Sequence, residues 1–465
     1  MITALRDRFR PFGLTAAPVA AAVLALAFLL GWRASPTWLG LLLAAAGGLV
    51  LLARPVLGLP ALVLAALVVP LEIGTGTEVR LNPVTLLIPA LAALWLLDMI
   101  RRQELRFAAS PTNRPLLLFL GAGLLSLLIG RATWDPMVPV GGNFLLVQLA
   151  QWAIFAFSAL AFWLTANLIP EERWLRRLAW TFLLVGGGLA IARTIPGLRG
   201  LASPITTVAF IRAPFWVLLA ALAGGQLLWH RQLPLPWRIF LLAVLGAVLY
   251  YAFSEQREAA SNWVGVAIVA GMLLWLRFPQ WRAPLVALAV VLASAGMLFS
   301  ALWEFAGGDA EWVMSGESRL VLSARVVEVT MRNPIMGLGP AAYRIYASWQ
   351  PLMVANNRLW LGSVVSSHNN YVDIFAHGGV LGLLLFFWFA WEVTRLGLRL
   401  HRRHPTGFAS GYVNGMLAAG AGSLVIMLLA DWILPFVYNI GFPGFQASVL
   451  VWLFMGGLVA LGERG

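Results

Sequence analysis

The sequence predicts an all-α, polytopic integral membrane protein with about 12–14 transmembrane helices and one large extracytoplasmic loop containing an amphipathic helix. Three observations carry this. Of 465 residues, 61% are hydrophobic and 11% charged, with a mean hydropathy of +0.85; a soluble domain is charged at about a quarter of its positions. Apolar runs long enough to cross a bilayer, roughly 17–25 residues each, recur along almost the whole chain. Arginine collects in every second connection between those runs, the pattern that fixes membrane orientation.

The runs lie near 14–31, 38–53, 55–71, 82–99, 115–130, 144–168, 176–193, 209–229, 237–253, 262–277, 283–303, 371–397, 410–434 and 443–461. The opening "MITALRDRFRPFGLTAAPVAAAVLALAFLLGW" has a long apolar part and a second run close behind, so it reads as a retained first helix, not a cleaved leader. Between runs, "RDRFR", "RRQELRF", "EERWLRR", "HRQLPLPWR", "RFPQWR" and "RLGLRLHRRH" fall on one side. The other side holds "EIGTGTEVR", "RATWDPMVPVGGN", "SEQREAASN" and the long 304–370 segment, which are less basic. Both termini are then cytoplasmic and 304–370 is external. Trp38, Trp174, Trp237 and Trp281 stand at run ends, as an interfacial belt places them. The chain divides into an N-terminal transmembrane bundle over 1–303, the loop over 304–370 and C-terminal transmembrane helices over 371–465.

Composition also excludes. There is no cysteine, so disulfides, thiol catalysis and thiolate metal sites are ruled out. The 32 basic residues are all arginine. On a soluble chain the net charge of +13 would point to nucleic acid, but here most arginines sit in short loops beside membrane lipids, so nucleic acid is not an expected partner.

The 304–370 loop is the one long polar region, and loops of that length tend to be functional. Within it "SGESRLVLSARVVEVTMRNP" reads as a helix, with Ser315 or Ser318 to cap it and Asn333-Pro334 to stop it. Leu320, Ala324, Val327 and Met331 share one apolar stripe at helical spacing. Arg319 and Arg325 flank that stripe, as snorkelling side chains would, and Arg325 with Glu328 and Arg332 makes a charged face that solvation alone explains.

The stretch "SSHNNYVDIFAHGGVLGLLLFFWFAW" sets a histidine at the mouth of an apolar helix. Two serines precede His368 and either can cap the helix that begins near Asn369, which puts the imidazole at a helix N-terminus. The partial positive charge there disfavours imidazolium and leaves a neutral base, and the same end attracts phosphate. The plain alternative is an interfacial histidine that hydrogen-bonds its own loop. Asn369 and Asn370 are candidates for sugar hydroxyls or for capping; Asp373 and Asp431 for orienting His368 or for local hydrogen bonding. Gly337-Leu338-Gly339-Pro340 reads more readily as a turn than as a phosphate nest. His377 is out of phase with His368 on the helix, so it reads as structural, and with no tight acidic cluster no catalytic metal is expected. No cofactor is expected either.

His368-Asn369, nine residues, then Gly379-Val380-Leu381-Gly382 resembles the H-N-x(9)-G-x-x-G pattern of bacterial O-antigen ligases and O-antigen polymerase-like proteins. Upstream, "ESRLVLSARVVEVTMRNPIMGLGPAAY" is similar to that family's loop, with Glu317-Ser318 in place of the usual small residue before the arginine. "SEQRE" resembles the family's S-R element, with two residues between Ser254 and Arg257. The likeness spans about 315–385 and is looser over 205–280; the SEDS glycan polymerases look like distant fold relatives.

The resemblance implies a metal-independent, inverting membrane glycosyltransferase of polysaccharide biosynthesis in a bacterial inner membrane, with 304–370 as the catalytic loop. Its donor would be an undecaprenyl-diphosphate-linked glycan and its acceptor lipid A-core or another glycan. His368 would activate the acceptor hydroxyl, Arg319 and Arg257 would bind the donor diphosphate with Arg325 beside them, and Gly379 and Gly382 would be structural. The chemistry fits: attack on an anomeric carbon needs a base in reach and cations for the leaving diphosphate. A polymerase of the same family needs the same groups. A transporter or flippase for lipid-linked sugars would instead carry ionisable residues at mid-bilayer, where this sequence has almost none. A non-catalytic scaffold would leave the His368 and Arg319 pattern a coincidence.

Overall fold

The computed structural model describes residues 47–48, 50–76, 79–104, 107–256, 259–294, 322–349, 352–354, 358–360 and 365–462. They are almost entirely helical, and the protein is an all-α polytopic membrane protein. The chain divides into two compact units, Met1–Pro55 and Val56–Gly465. In the first, residues 50–53 are helical. All elements below belong to the second.

In chain order these are α1 (Gly58–Val68), the hairpin β1 (Ile73–Gly74) and β2 (Arg80–Leu81), α2 (Pro83–Arg102), α3 (Asn113–Ala132), α4 (Phe144–Leu168), α5 (Glu172–Thr194), the short α6 (Pro196–Ala202), α7 (Ala213–Trp229), α8 (Leu235–Tyr250), α9 (Ala260–Arg277) and α10 (Arg282–Ser294). Then come α11 (322–330), α12 (Tyr343–Trp349), β3 (Leu352–Val354), β4 (Arg358–Trp360), α13 (Asn370–Arg403), α14 (Gly407–Ile426) and α15 (Gly441–Gly462). Among the described residues eight helices are long and apolar enough to cross a membrane, and shorter apolar helices accompany them. The runs expected near 14–31 and over most of 38–53 lie outside the described residues.

Local chemistry sets the boundaries. Asn82 accepts from the Thr85 amide at 3.1 Å while the Asn82 amide donates to the Thr85 hydroxyl at 3.0 Å, a capping box that starts α2 with Pro83 at its first position. The sequence predicts no strand, yet among the described residues two short antiparallel strand pairs occur. The first is tied by Thr75 to the Val79 carbonyl at 2.7 Å and by Arg80 to Glu72 at 2.9 Å. The second pairs Leu352 with Trp360.

The core gathers around α15, α7 and α14. A helix apolar all round belongs in an interior, and nearly every residue of α15 is buried. α14 lies against α7 with almost no side chain between them: a Cβ on Gly225 would meet the Gly411 carbonyl and stand 3.0 Å from the Gly415 Cα. Small residues at such crossings replace the hydrophobic drive that lipid does not supply.

The structure adds detail to two of the expected elements. The stripe Ala324, Val327 and Met331 on α11 is the exposed side, with Met331 59% accessible; Leu322, Val326 and Val329 are the buried side and pack with Tyr343, Tyr346 and Phe436. Both faces of this helix carry apolar residues, so helical spacing alone could not choose. The run 371–397 is not one straight helix either. At Gly379 the backbone of α13 turns to φ 65°, ψ −165°, and the loop 333–339 docks into the break. Val380 donates to the Pro334 carbonyl at 2.9 Å, Leu381 to Ile335 at 3.2 Å, and Leu338 to Ala376 at 2.8 Å. The hydroxyl of Ser126 on α3 donates to the His377 carbonyl at 2.6 Å. Backbone groups freed by a kink at membrane depth are thereby re-paired, as lipid surroundings demand. Gly337-Leu338-Gly339-Pro340 is therefore a docking turn whose first two amides are spent on protein carbonyls.

Candidate functional site

Successive antiparallel helices bring 194–212, 251–256, 322–349, 365–369 and 427–440 to one end of the bundle. Contacts confirm it: Ser323 on α11 donates to the Ser367 carbonyl at 2.9 Å, and Arg344 on α12 to the Tyr438 carbonyl at 2.8 Å.

His368 stands immediately before the α13 cap, half-buried, with a left-handed φ of 49°. The cap itself is Asn369, not a serine: its side-chain oxygen accepts from Tyr371 at 2.9 Å and Val372 at 3.3 Å. The short Asn side chain reaches its own helix amides directly, while Ser367 is drawn into other bonds, accepting from the Asn369 amide at 3.0 Å and lying 2.7 Å from Asp373. Asn370 is fully buried. Its oxygen accepts from Ile433 at 2.9 Å and Leu434 at 3.3 Å, its amide group donates to the Leu434 carbonyl at 2.8 Å, and its backbone N–H to Met427 at 2.8 Å. It stitches the start of α13 to the 427–440 loop.

The carboxylate that feels His368 electrostatically belongs to Asp431. It is fully buried, accepts from the Phe436 amide at 2.8 Å and the Asn439 side chain at 2.6 Å, and lies within electrostatic reach of His368. Burial raises its pKa above the ordinary carboxylate range, against the opposing pull of these donors and of His368. Asp373 is also buried: one oxygen accepts from the Tyr343 hydroxyl at 2.8 Å and from Ser367, while the other has no hydrogen-bond partner among the described residues. Burial, then the neighbouring Asp373, pushes the Tyr343 phenol well above its usual value, so it stays a donor. Asp373 thus belongs to an internal network, while Asp431 is the carboxylate within electrostatic reach of the histidine.

Arg212 comes to the same carboxylate from another element. It precedes Ala213-Pro214 at the start of α7, half-buried, 5.5 Å from the Trp432 ring, with its Nε buried and unpartnered. Burial lowers its pKa, and Asp431 and Tyr251 oppose that shift; a guanidinium so placed is still charged. Tyr251 stacks on Trp216 at 3.9 Å and lies 5.4 Å from Arg193, which pairs with Glu255 at 3.1 Å; Arg199 pairs with the same Glu255. Tyr251 and Glu255 ride on a π-helical turn, Tyr251–Glu255, that extends α8, a distortion common at functional sites.

Arg257 and Arg319 lie outside the described residues. Arg325 is on the buried face of α11, 7% exposed, paired at 2.8 Å with Glu328, so the solvated-face explanation fails for it. Arg332 instead pairs with Asp135 at 2.7 Å. Gly379 forms the kink, and Gly382 lies one turn beyond, where a Cβ would be 3.4 Å from the Ile374 carbonyl. His377 is enclosed by Phe155, Tyr343 and Phe436, its Nδ1 accepting from Ala341 at 3.3 Å. Among the described residues no group of His, Asp and Glu is spaced to hold a metal ion.

Sequence reasoning passed over Arg212. Its signal was present: an arginine in the arginine-poor set of connections, directly before a helix-starting Ala-Pro. It also ranked Asp431 with Asp373, because linear spacing does not show that 427–440 folds over the start of α13.

Residues 257–387 match the family model for O-antigen ligase. That stretch contains the interlocked 333–339 loop and α13 kink, and the match supports a glycan-transferring membrane enzyme of the ligase and polymerase kind. No curated protein matches the sequence.

Proposed function

We propose that this O-antigen ligase-like membrane protein moves a glycan from an undecaprenyl-diphosphate-linked donor to a lipid or saccharide acceptor at the outer face of a bacterial inner membrane. One observation carries the reading: His368 and Arg212, from separate segments, both lie within electrostatic reach of the buried Asp431 carboxylate on the 427–440 loop.

His368 accepts the proton of the acceptor hydroxyl as its oxygen attacks the anomeric carbon. Asp431 orients the imidazole and stabilises the imidazolium that forms. The bond from the anomeric carbon to the diphosphate oxygen breaks, and the lipid diphosphate leaves with the electron pair. Arg212, with Arg319 and Arg257, receives that charge; a planar guanidinium suits a diphosphate and holds its charge at any relevant pH. One displacement inverts the anomeric centre. An apolar hollow between α13, α14 and α15, lined by Phe386, Phe389, Leu424, Met427, Ile433 and Trp452, supports a prenyl-chain path. Met427 and Ile433 at its upper end are the residues bonded to Asn370, directly beneath the site.

The test is purified protein with a polyprenyl-diphosphate glycan and separate lipid A-core and glycan acceptors. Inverted product on lipid A-core identifies a ligase, and a ladder of repeats a polymerase. Movement of intact donor across vesicles with no product on either acceptor sinks the reading.

A further inference from the structure

At the end of the bundle away from His368, α13 and α15 finish beside the loop that leads into α3, and the three enclose a hollow of about 140 Å³. Ser110, Arg399 and Arg403 stand around it, and Leu396, Leu400 and Val459 form its apolar floor. The floor is close-packed: a Cβ on Gly462 would be 3.0 Å from Leu396. The loop wall is fixed as well. The Ala108 amide donates to Asn167 at 2.7 Å, the Ala108 carbonyl accepts from Asn113 at 2.6 Å, and the Trp163 indole donates to Asn113 at 3.1 Å.

Arg399 and Arg403 are exposed and four residues apart, so they lie on one face of α13. Neither makes an ion pair or hydrogen bond among the described residues. Other arginines at this end are neutralised by a carboxylate, Arg101 and Arg102 by Asp98, Arg173 by Glu171 and Arg176 by Glu172, whereas Arg399 and Arg403 are not. Arginines that only set orientation have no need of a hollow or an apolar floor. Two unopposed guanidiniums above apolar side chains, at the membrane surface and between helices, match a phosphodiester headgroup whose acyl chains lie along the protein.

The geometry points to an anionic phospholipid site at Arg399 and Arg403, independent of the transfer chemistry at the other end. The test is native mass spectrometry of the full chain released from nanodiscs of equal parts phosphatidylglycerol and phosphatidylethanolamine. The protein retains phosphatidylglycerol, and Arg399→Gln/Arg403→Gln lowers that retention by on the order of thirtyfold, the worth of two surface guanidinium contacts. Arg173→Gln, which removes a paired arginine at the same end, retains the lipid as the unaltered protein does. Equal retention by the double variant overturns the proposal. So does displacement of the lipid by millimolar inorganic phosphate, which would make the hollow a site for a free anion.

Discussion

Replacing Gly379 with alanine tests how the family's glycine motif acts. With φ 65° and ψ −165°, this residue occupies a region essentially reserved for glycine, costing any other residue about 1–3 kcal/mol. An alanine Cβ would also run into the Ile335 carbonyl and stand 2.6 Å from the Gly337 nitrogen, both backbone atoms of a docked loop. Making room breaks the Val380–Pro334 and Leu381–Ile335 hydrogen bonds, worth about 1 kcal/mol each. The sum is about 3–5 kcal/mol, a fall in unfolding midpoint of about 3–5 °C for a chain of this length. Gly378→Ala is the control: its Cβ meets nothing within 4 Å and its backbone is helical. Thermal unfolding in detergent, followed by tryptophan fluorescence, reads both. If Gly379→Ala unfolds within about 1 kcal/mol of Gly378→Ala, the interlock of loop and kink does not hold the fold.

Further outcomes follow from the same contacts. Tyr343→Phe removes a donor from buried Asp373 and costs about 1–3 kcal/mol in denaturant unfolding, leaving that carboxylate with Ser367. Burial raises the Asp431 pKa, so the folded chain keeps a proton that the unfolded chain releases above the ordinary aspartate value of 3.8. Stability therefore falls as pH rises through the window from that value up to the raised one. Asp431→Asn has no such proton, and its unfolding midpoint declines less as pH rises above the ordinary carboxylate value. Arg212→Gln raises the donor KM about tenfold or more with the fold unchanged, read from initial rates across donor concentrations; an unaltered KM removes Arg212 from the diphosphate site.

Much of the scaffold could be read from the chain because lipid leaves few options: an apolar run of sufficient length must be helical, and short connections force antiparallel neighbours. Asn333-Pro334 ends α11 as its chemistry requires. What stayed hidden depends on contacts between distant segments. Gly379 looked like part of a helix, because only the docked carbonyls of Pro334 and Ile335 make its break tolerable. Two nearly equal apolar faces concealed which side of α11 is inward. His368 was legible from a motif, whereas Arg212 and Asp431 become its neighbours only when α7 and the 427–440 loop fold to the same end.

The central claim is that His368 acts as the base for transfer. Single-turnover transfer by His368→Ala, measured beside donor retention in the same preparation, tests it most directly. With His368 as the base, donor is still retained while transfer slows by about 10²–10⁴. Transfer at the unaltered rate by a protein that retains donor normally would contradict it.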